Sequence, residues 1–380
     1  MIRTLTDEDR MIAEVAGELF EGHPRIPKDD EPRARYDTAT WRPAADVGLA
    51  SLGMPAEVDG IEGFAALGEV LIGAGRALSP LPILGSVVTV QQLIALAVRD
   101  EQRVGLLTDL VSGVSIGTLV AGHRGNAVRV EGPADQPRLR GSVDAVLDAA
   151  SADLVLVTAA GPAGVVLYRV EPRDAGFTAK RTRSVDLTRE YTRVELDDCP
   201  AQPVSTEDLD AALRRVEDLA TVARACEQLG AARRCLEMTT QYVAERIQFG
   251  RPLGSFQAVK HQCADLAVAI DDAESAVVHA VWAADSSPEG LPLAAAMAGA
   301  VCSRVAYRAA DTAVHLHGGI GFTWEHPAHL YFRRAVTDTA VYGDEAHFQE
   351  RFLDASGVRL QLDDAVPSPH RSSQEQGVTP

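Results

Sequence analysis

Apolar residues recur at steps of three and four along one stretch of this chain: Phe256, Val259, Cys263, Leu266, Ile270, Ala273, Val277 and Val281. That spacing predicts a long helix with a continuous apolar seam, which must be buried against other helices. A second stretch places Leu293, Ala296, Met297, Ala300, Val301, Val305, Ala309, Thr312 and Leu316 at similar intervals, with alanines that let helices approach closely. A four-helix bundle over residues 206–360 satisfies both patterns. Upstream the texture differs. Between residues 118 and 205, β-rich runs at 117–120, 127–130, 154–158, 165–170 and 192–196 alternate with Gly, Pro and Asp. They predict a small antiparallel, barrel-like β domain. Residues 1–117 read as a helical domain, with Thr6 as an N-cap and further helices over 63–77, 86–99 and 101–111. Gly75 and Pro80 suggest the end of the first of these. The tail 361–380, rich in Ser, Pro, Gln and Gly, is expected to be disordered. Helices, then strands, then helices in separate runs argue against a parallel α/β sheet. No Gly-x-Gly-x-x-Gly follows a predicted strand.

Charge and composition exclude several function classes. A formal net charge of −18 argues against nucleic acid as a partner. The sequence lacks an apolar run of about 18 residues and begins on an acidic stretch with no secretory core. No membrane is expected as a partner, and the cytoplasm is the expected location. The cysteines number five and include no Cys-x-x-Cys pair, so neither a metal site nor a disulfide framework is expected. Cys226, Cys235, Cys263 and Cys302 fall in helical patterns and read as small buried hydrophobes.

Chemistry concentrates in two stretches. The first, Arg246-Ile247-Gln248-Phe249-Gly250-Arg251-Pro252-Leu253-Gly254-Ser255-Phe256-Gln257, joins two long helices. Gly250 and Pro252 break the first helix, and Ser255 can cap the second. Arg246 beside the free amides of a helix start can hold a diphosphate; alternatively it neutralises a helix C-terminus. The second stretch, His315-Leu316-His317-Gly318-Gly319-Ile320-Gly321-Phe322-Thr323-Trp324-Glu325-His326-Pro327, lets a backbone approach a ligand closely, or simply ends a helix on glycine. No further ligand at suitable spacing turns His315 and His317 into a metal site.

Together these stretches resemble the acyl-CoA dehydrogenase family. The first matches its Arg-x-x-Phe-Gly-x-x-x-x-x-x-Gln signature and the second its Gly-Gly-x-Gly-x-x-x-Glu-x-Pro signature, followed by Arg333-Arg334 and Val341-Tyr342. Gly75-Arg76, Leu139-x-Gly141, Ala152-Asp153 and Asp186-Leu187-Thr188-Arg189 look like further landmarks. The resemblance implies N-terminal helices, a middle β domain and a C-terminal four-helix bundle, with FAD between the last two and a second subunit completing the site. It implies that Arg246, Phe249 and Gln257 meet the FAD diphosphate and adenosine end, and that His317, Gly318 and Gly319 approach it across a subunit interface. Where the family usually has Gln, this chain has His315. Asp218 matches a residue near the CoA end of the substrate. The implied chemistry is α,β-dehydrogenation of an acyl-CoA thioester, with an electron-acceptor flavoprotein as the next partner. A carboxylate base takes the α-proton, and the flavin takes the β-hydride.

The base is missing. The residue after Tyr342 is Gly343, and the alternative position on the first bundle helix is Ala220, beside Thr221. Replacement bases within reach are Asp344 and Glu345, which also suit capping of the following helix, and Glu217, one helical turn before Ala220. The usual flavin-ring run of the middle domain is replaced by Thr118-Leu119-Val120-Ala121-Gly122-His123-Arg124. Three readings follow: one subunit of a mixed oligomer (dimer or tetramer) whose partner supplies the base, a self-sufficient dehydrogenase with a displaced base, or a non-catalytic acyl-CoA-binding scaffold.

Overall fold

The computed structural model describes residues 6–21, 38–161 and 164–358; the tail expected to be disordered lies outside them. Before the sheet come α1 (Asp7–Glu21), α2 (Thr38–Asp46), α3 (Ala65–Ala77), α4 (Gln92–Ala97) and α5 (Asp100–Val111). A π-helical segment, Ile83–Gln91, runs straight into α4. The apolar spacing predicts a plain helix over 86–99. The segment is buried on nearly every side, so no stripe marks its true period. α3 ends at Ala77, between Gly75 and Pro80 as expected, but Gly75 is not its cap. The helix closes at Leu78, in left-handed conformation with φ 51°. Gly75 is there for packing: a Cβ on it would land on the Glu227 carbonyl, and one on Gly230 would land on the Ile72 carbonyl. Backbone meets backbone between α3 and the first bundle helix. Gly230→Ala is therefore expected to cost about 1–3 kcal/mol or more, read as a lower urea midpoint at unchanged slope.

The middle of the chain forms one curled, eight-stranded sheet. Its strands are β1 (Gly117–Val120), β2 (Val128–Glu131), β3 (Arg138–Leu147), β4 (Leu154–Gly161), β5 (Gly164–Val170), β6 (Phe177–Arg181), β7 (Tyr191–Pro200) and β8 (Gln202–Pro203). The order is β6-β7-β3-β2-β4-β5-β8, with β1 paired to β4. Most ladders are antiparallel as expected, but β1 and β2 both run parallel to β4. They lie end to end along it, β1 against Leu154–Val157 and β2 at Ala160, as one strand interrupted by a loop. β3 was not legible: Arg138, Arg140 and Asp144 punctuate it, and two register shifts against β7 break its alternation.

The bundle comprises α6 (Leu209–Glu245), α7 (Gln257–Ser286), α8 (Leu291–His317), α9 (Ala328–Tyr342) and α10 (Glu345–Ser356). The seam of α7 is buried from Leu266 to Val277, while Val259, Cys263 and Val281 are only half-buried. On α8 the expected stripe is partly rotated. Of the expected positions Ala296, Val305 and Ala309 are buried, but Leu293 is exposed, and the rest of the core face is Ala294, Ala295, Ala298, Cys302, Ala306 and Ala313. Alanines carry little hydrophobic contrast, so they hid part of the true face. Cys226, Cys235 and Cys302 are buried and free. Among the described residues no helix is long and apolar enough to cross a membrane.

Sheet and bundle are fastened by buried charges. The loop between β6 and β7 carries Arg189, which donates to Asp338 on α9 at 3.0 Å and to Glu227 on α6. In return Arg334 on α9 pairs with Asp186 of that loop at 2.9 Å and donates to Thr188. Burial works against the Arg189 charge, but Glu227 and Asp338 outweigh it and hold the guanidinium protonated. Burial pushes the Asp338 carboxyl up, and Arg189 pulls it back.

Candidate functional site

Arg246 closes α6 with its backbone N–H on the Tyr242 carbonyl at 2.8 Å. The chain then turns through a two-residue hairpin, with Ile247–Gln248 (β9) paired to Arg251–Pro252 (β10). Its corner residues Phe249 and Gly250 have φ of 55° and 80°. Tight hairpins of this kind need positive φ at both corners, which suits glycine and strains an aromatic. Phe249 is 87% exposed and meets Phe256 edge-on, while the Arg251 guanidinium lies 3.9 Å above the Phe256 ring. Gln257 opens α7 with its side chain in solvent. Ser255 does not cap α7: a short 3-10 turn over Leu253–Ser255 moves the cap position on to Phe256, and the Ser255 hydroxyl is left buried without a partner. The first turn of α7 thus keeps its N–H groups free of any side-chain cap.

The second stretch sits at the same end of the bundle. His317, the last residue of α8, is buried and stacks on Tyr242 at 4.4 Å, one turn before Arg246. Its Nδ1 is 2.6 Å from the Ala313 carbonyl and so carries the proton. Its Nε2 is a buried acceptor with no partner. The His326 ring lies 4.0 Å away. Burial lowers the His317 pKa and, with His317 and His329 adding repulsion, pushes that of His326 down to about 4. The pair is neutral at neutral pH. Gly318 and Gly319 follow in solvent, and a Cβ on either would meet nothing within 4 Å. His315 is exposed. Among the described residues no cluster suits a metal ion.

These residues fit one half of a flavin dinucleotide site. Arg246 has no ion-pair partner among the described residues, the α7 amides are free, the glycine backbone is open, and the His317 nitrogen awaits a donor. An anionic diphosphate and a ribose hydroxyl supply what these groups lack. The middle domain does not match them. Thr118 Oγ1 donates to the Leu147 carbonyl at 2.7 Å, and Thr158 Oγ1 is 2.6 Å from His123 Nδ1. The Thr118 and Thr158 hydroxyls are thus already engaged within the middle domain.

At the expected base position, Gly343 joins α9 to α10 with φ 110° and ψ 152°. A Cβ there would run into the His347 ring. Each nearby carboxylate has another task. Asp344 caps α10, accepting from the His347 N–H at 3.0 Å. Glu345 accepts from Arg304 at 3.2 Å and from Gln349 at 3.1 Å. Glu217 pairs with Arg124 of the middle domain at 3.1 Å and lies 3.9 Å from Arg351. Asp218 accepts from Arg351 at 2.7 Å. Burial raises its pKa to about 6 against the pull of Arg351. Ala220 is buried and carries no proton acceptor. Two residues here escaped sequence reasoning: Arg351, and Arg224, which lies over the Tyr342 ring at 4.4 Å. A charge among the apolar positions of α6 was the available signal for Arg224.

Comparison with known proteins agrees with this architecture. Residues 218–351 match the family model described as the acyl-CoA dehydrogenase C-terminal domain. The acyl-CoA dehydrogenase IpdE2 of Mycobacterium tuberculosis is 35% identical over 306 residues, covering 79% of this chain and 81% of that protein. Among solved structures, a variant of the Tcur3481-Tcur3483 steroid ACAD is similar at 30% identity and TM-score 0.82, covering 93% of this chain and 99% of that one. The ChsE4-ChsE5 complex from Mycobacterium tuberculosis is similar at 27% identity and TM-score 0.84, covering 93% and 98%.

Proposed function

Because the chain belongs to the acyl-CoA dehydrogenase family of FAD-dependent enzymes, we propose that it is one subunit of a mixed oligomer whose partner carries the catalytic base. The observation that carries this reading is Gly343: its positive φ strains any side chain, and the His347 ring stands where a Cβ would go. Asp344, Glu345 and Glu217 are held by a helix cap and by ion pairs. The similar ChsE4-ChsE5 structure is a complex of two different chains, which supports the same arrangement here.

In this reading the chain lends its partner one side of a cofactor site. Arg246 and the α7 amides take the diphosphate, Phe249 and Gln257 cover the adenosine end, and Gly318 and Gly319 let the backbone approach. His317, fixed as the Nδ1–H tautomer, offers Nε2 as an acceptor. FAD, when bound, accepts the β-hydride of the acyl thioester. The α-proton goes to a carboxylate of the partner, and the electrons leave to an acceptor flavoprotein. Asp218 is proposed to stand near the CoA end of the cleft.

Coexpression tests this directly. The chain alone is expected to show no acyl-CoA-dependent dye reduction with straight-chain or steroid thioesters, and the complex with a dehydrogenase-like partner is expected to show it. Restoring the carboxylate locally is not expected to help. Gly343→Glu places a side chain at φ 110°, at a cost of about 1–3 kcal/mol. The isolated variant should melt earlier and remain inactive; turnover by it refutes the proposal.

A further inference from the structure

Guanidiniums gather beside Thr221 and Tyr342, next to the expected base positions. Three guanidiniums, Arg124, Arg224 and Arg351, lie near the carboxylates of Glu217, Asp218 and Asp338. Glu217 holds Arg124 and Asp218 holds Arg351, while Arg224 makes no ion pair with any of the described residues. It is 8% exposed, and it donates to a neutral group, Thr221 Oγ1, at 3.0 Å. Arg351 Nη1 approaches the same Thr221 oxygen at 3.3 Å. Two guanidiniums therefore converge on one hydroxyl, whose own proton goes to the Glu217 carbonyl at 2.8 Å. The neighbouring Asp338 is already engaged by Arg189. Under Arg224 lies the Tyr342 ring, whose buried hydroxyl accepts no hydrogen bond from the described residues. A guanidinium has five donors, and a buried one with so few acceptors is costly unless an anion completes it.

We infer that this chain's own cleft, beside Thr221 and Tyr342, is a receptor for a small oxyanion, a carboxylate or a phosphate, held by Arg224 and Arg351. Two convergent guanidiniums match the planar oxygen pair of such groups. The inference builds on the reading that this cleft has no base, but it needs neither flavin nor turnover.

Its test is therefore a binding measurement on the full chain, with its partner where the two purify together. Calorimetry and thermal shift are run with sodium malonate, inorganic phosphate and, as the uncharged control, malonamide, all at constant ionic strength in chloride. Saturable binding by malonate or phosphate, with malonamide inert, is expected. Whichever anion binds tighter identifies the source chemistry. Arg224→Gln is expected to weaken binding by about tenfold or more, and Arg224→Lys, which keeps the charge and loses the planar fork, by less. Absence of saturable binding to the wild-type chain overturns the inference whether or not the variants fold. So does equal affinity in folded Arg224→Gln. Loss of dehydrogenase activity in the complex, with anion binding intact, would instead count against the mixed-oligomer reading alone.

Discussion

Arg189→Met is expected to remove about 3–5 kcal/mol of stability, the usual consequence of taking one partner from a buried ion pair. Arg189 is the cation that bridges Glu227 of α6 and Asp338 of α9, and all three are buried. Methionine fills much of the volume but leaves two carboxylates facing each other without water. Asp338, already raised by burial, rises further once the guanidinium is gone. The deficit therefore depends on pH. A carboxyl whose folded pKa exceeds its unfolded one destabilises fully above the folded value and is relieved as pH falls through it. Measured by urea unfolding relative to wild type, the deficit should shrink on acidification. A deficit below about 1 kcal/mol at neutral pH would mean that the network does not fasten sheet to bundle.

Arg246→Ala is expected to do the reverse: little to the fold, much to the cofactor. Arg246 is exposed and has no ion pair among the described residues, so unfolding should change by no more than about 0.5 kcal/mol. A charged hydrogen bond to a diphosphate contributes about 1.5–3 kcal/mol. The assembled protein should therefore hold FAD about 10- to 100-fold more weakly, measured by flavin fluorescence on dilution. Unchanged flavin retention would show that the hairpin of Ile247–Pro252 does not meet the diphosphate.

The fold was legible where chemistry leaves a periodic trace. The α7 seam from Leu266 to Val277 and the β4 and β5 runs sit where their patterns put them. Alanine-rich α8 gave the helix but only part of the face, because alanines lie on several of its sides. The β3 strand was hidden by charges that a half-exposed, bulged strand tolerates. Gly75 looks like a stop signal in one dimension, yet it is a point of backbone contact in three. For the candidate site, the signatures at 246–257 and 315–327 pointed to one place, and the stacking of Tyr242 on His317 brings them to one end of the bundle. Gly343 at the expected base position was plain from the sequence. Its surroundings were legible only in part: Glu217 and Asp218 stood out, but Arg224 and Arg351 did not, because their meeting joins two helices more than a hundred positions apart. Only folding puts them side by side.

The most direct test counts flavins. The chain is purified alone and with its dehydrogenase-like partner, and FAD per polypeptide is measured together with anaerobic bleaching by acyl-CoA. The account predicts a colourless isolated chain and a yellow complex with one bleachable flavin per pair of unlike chains. An isolated chain that binds FAD stoichiometrically and is bleached by acyl-CoA would contradict it.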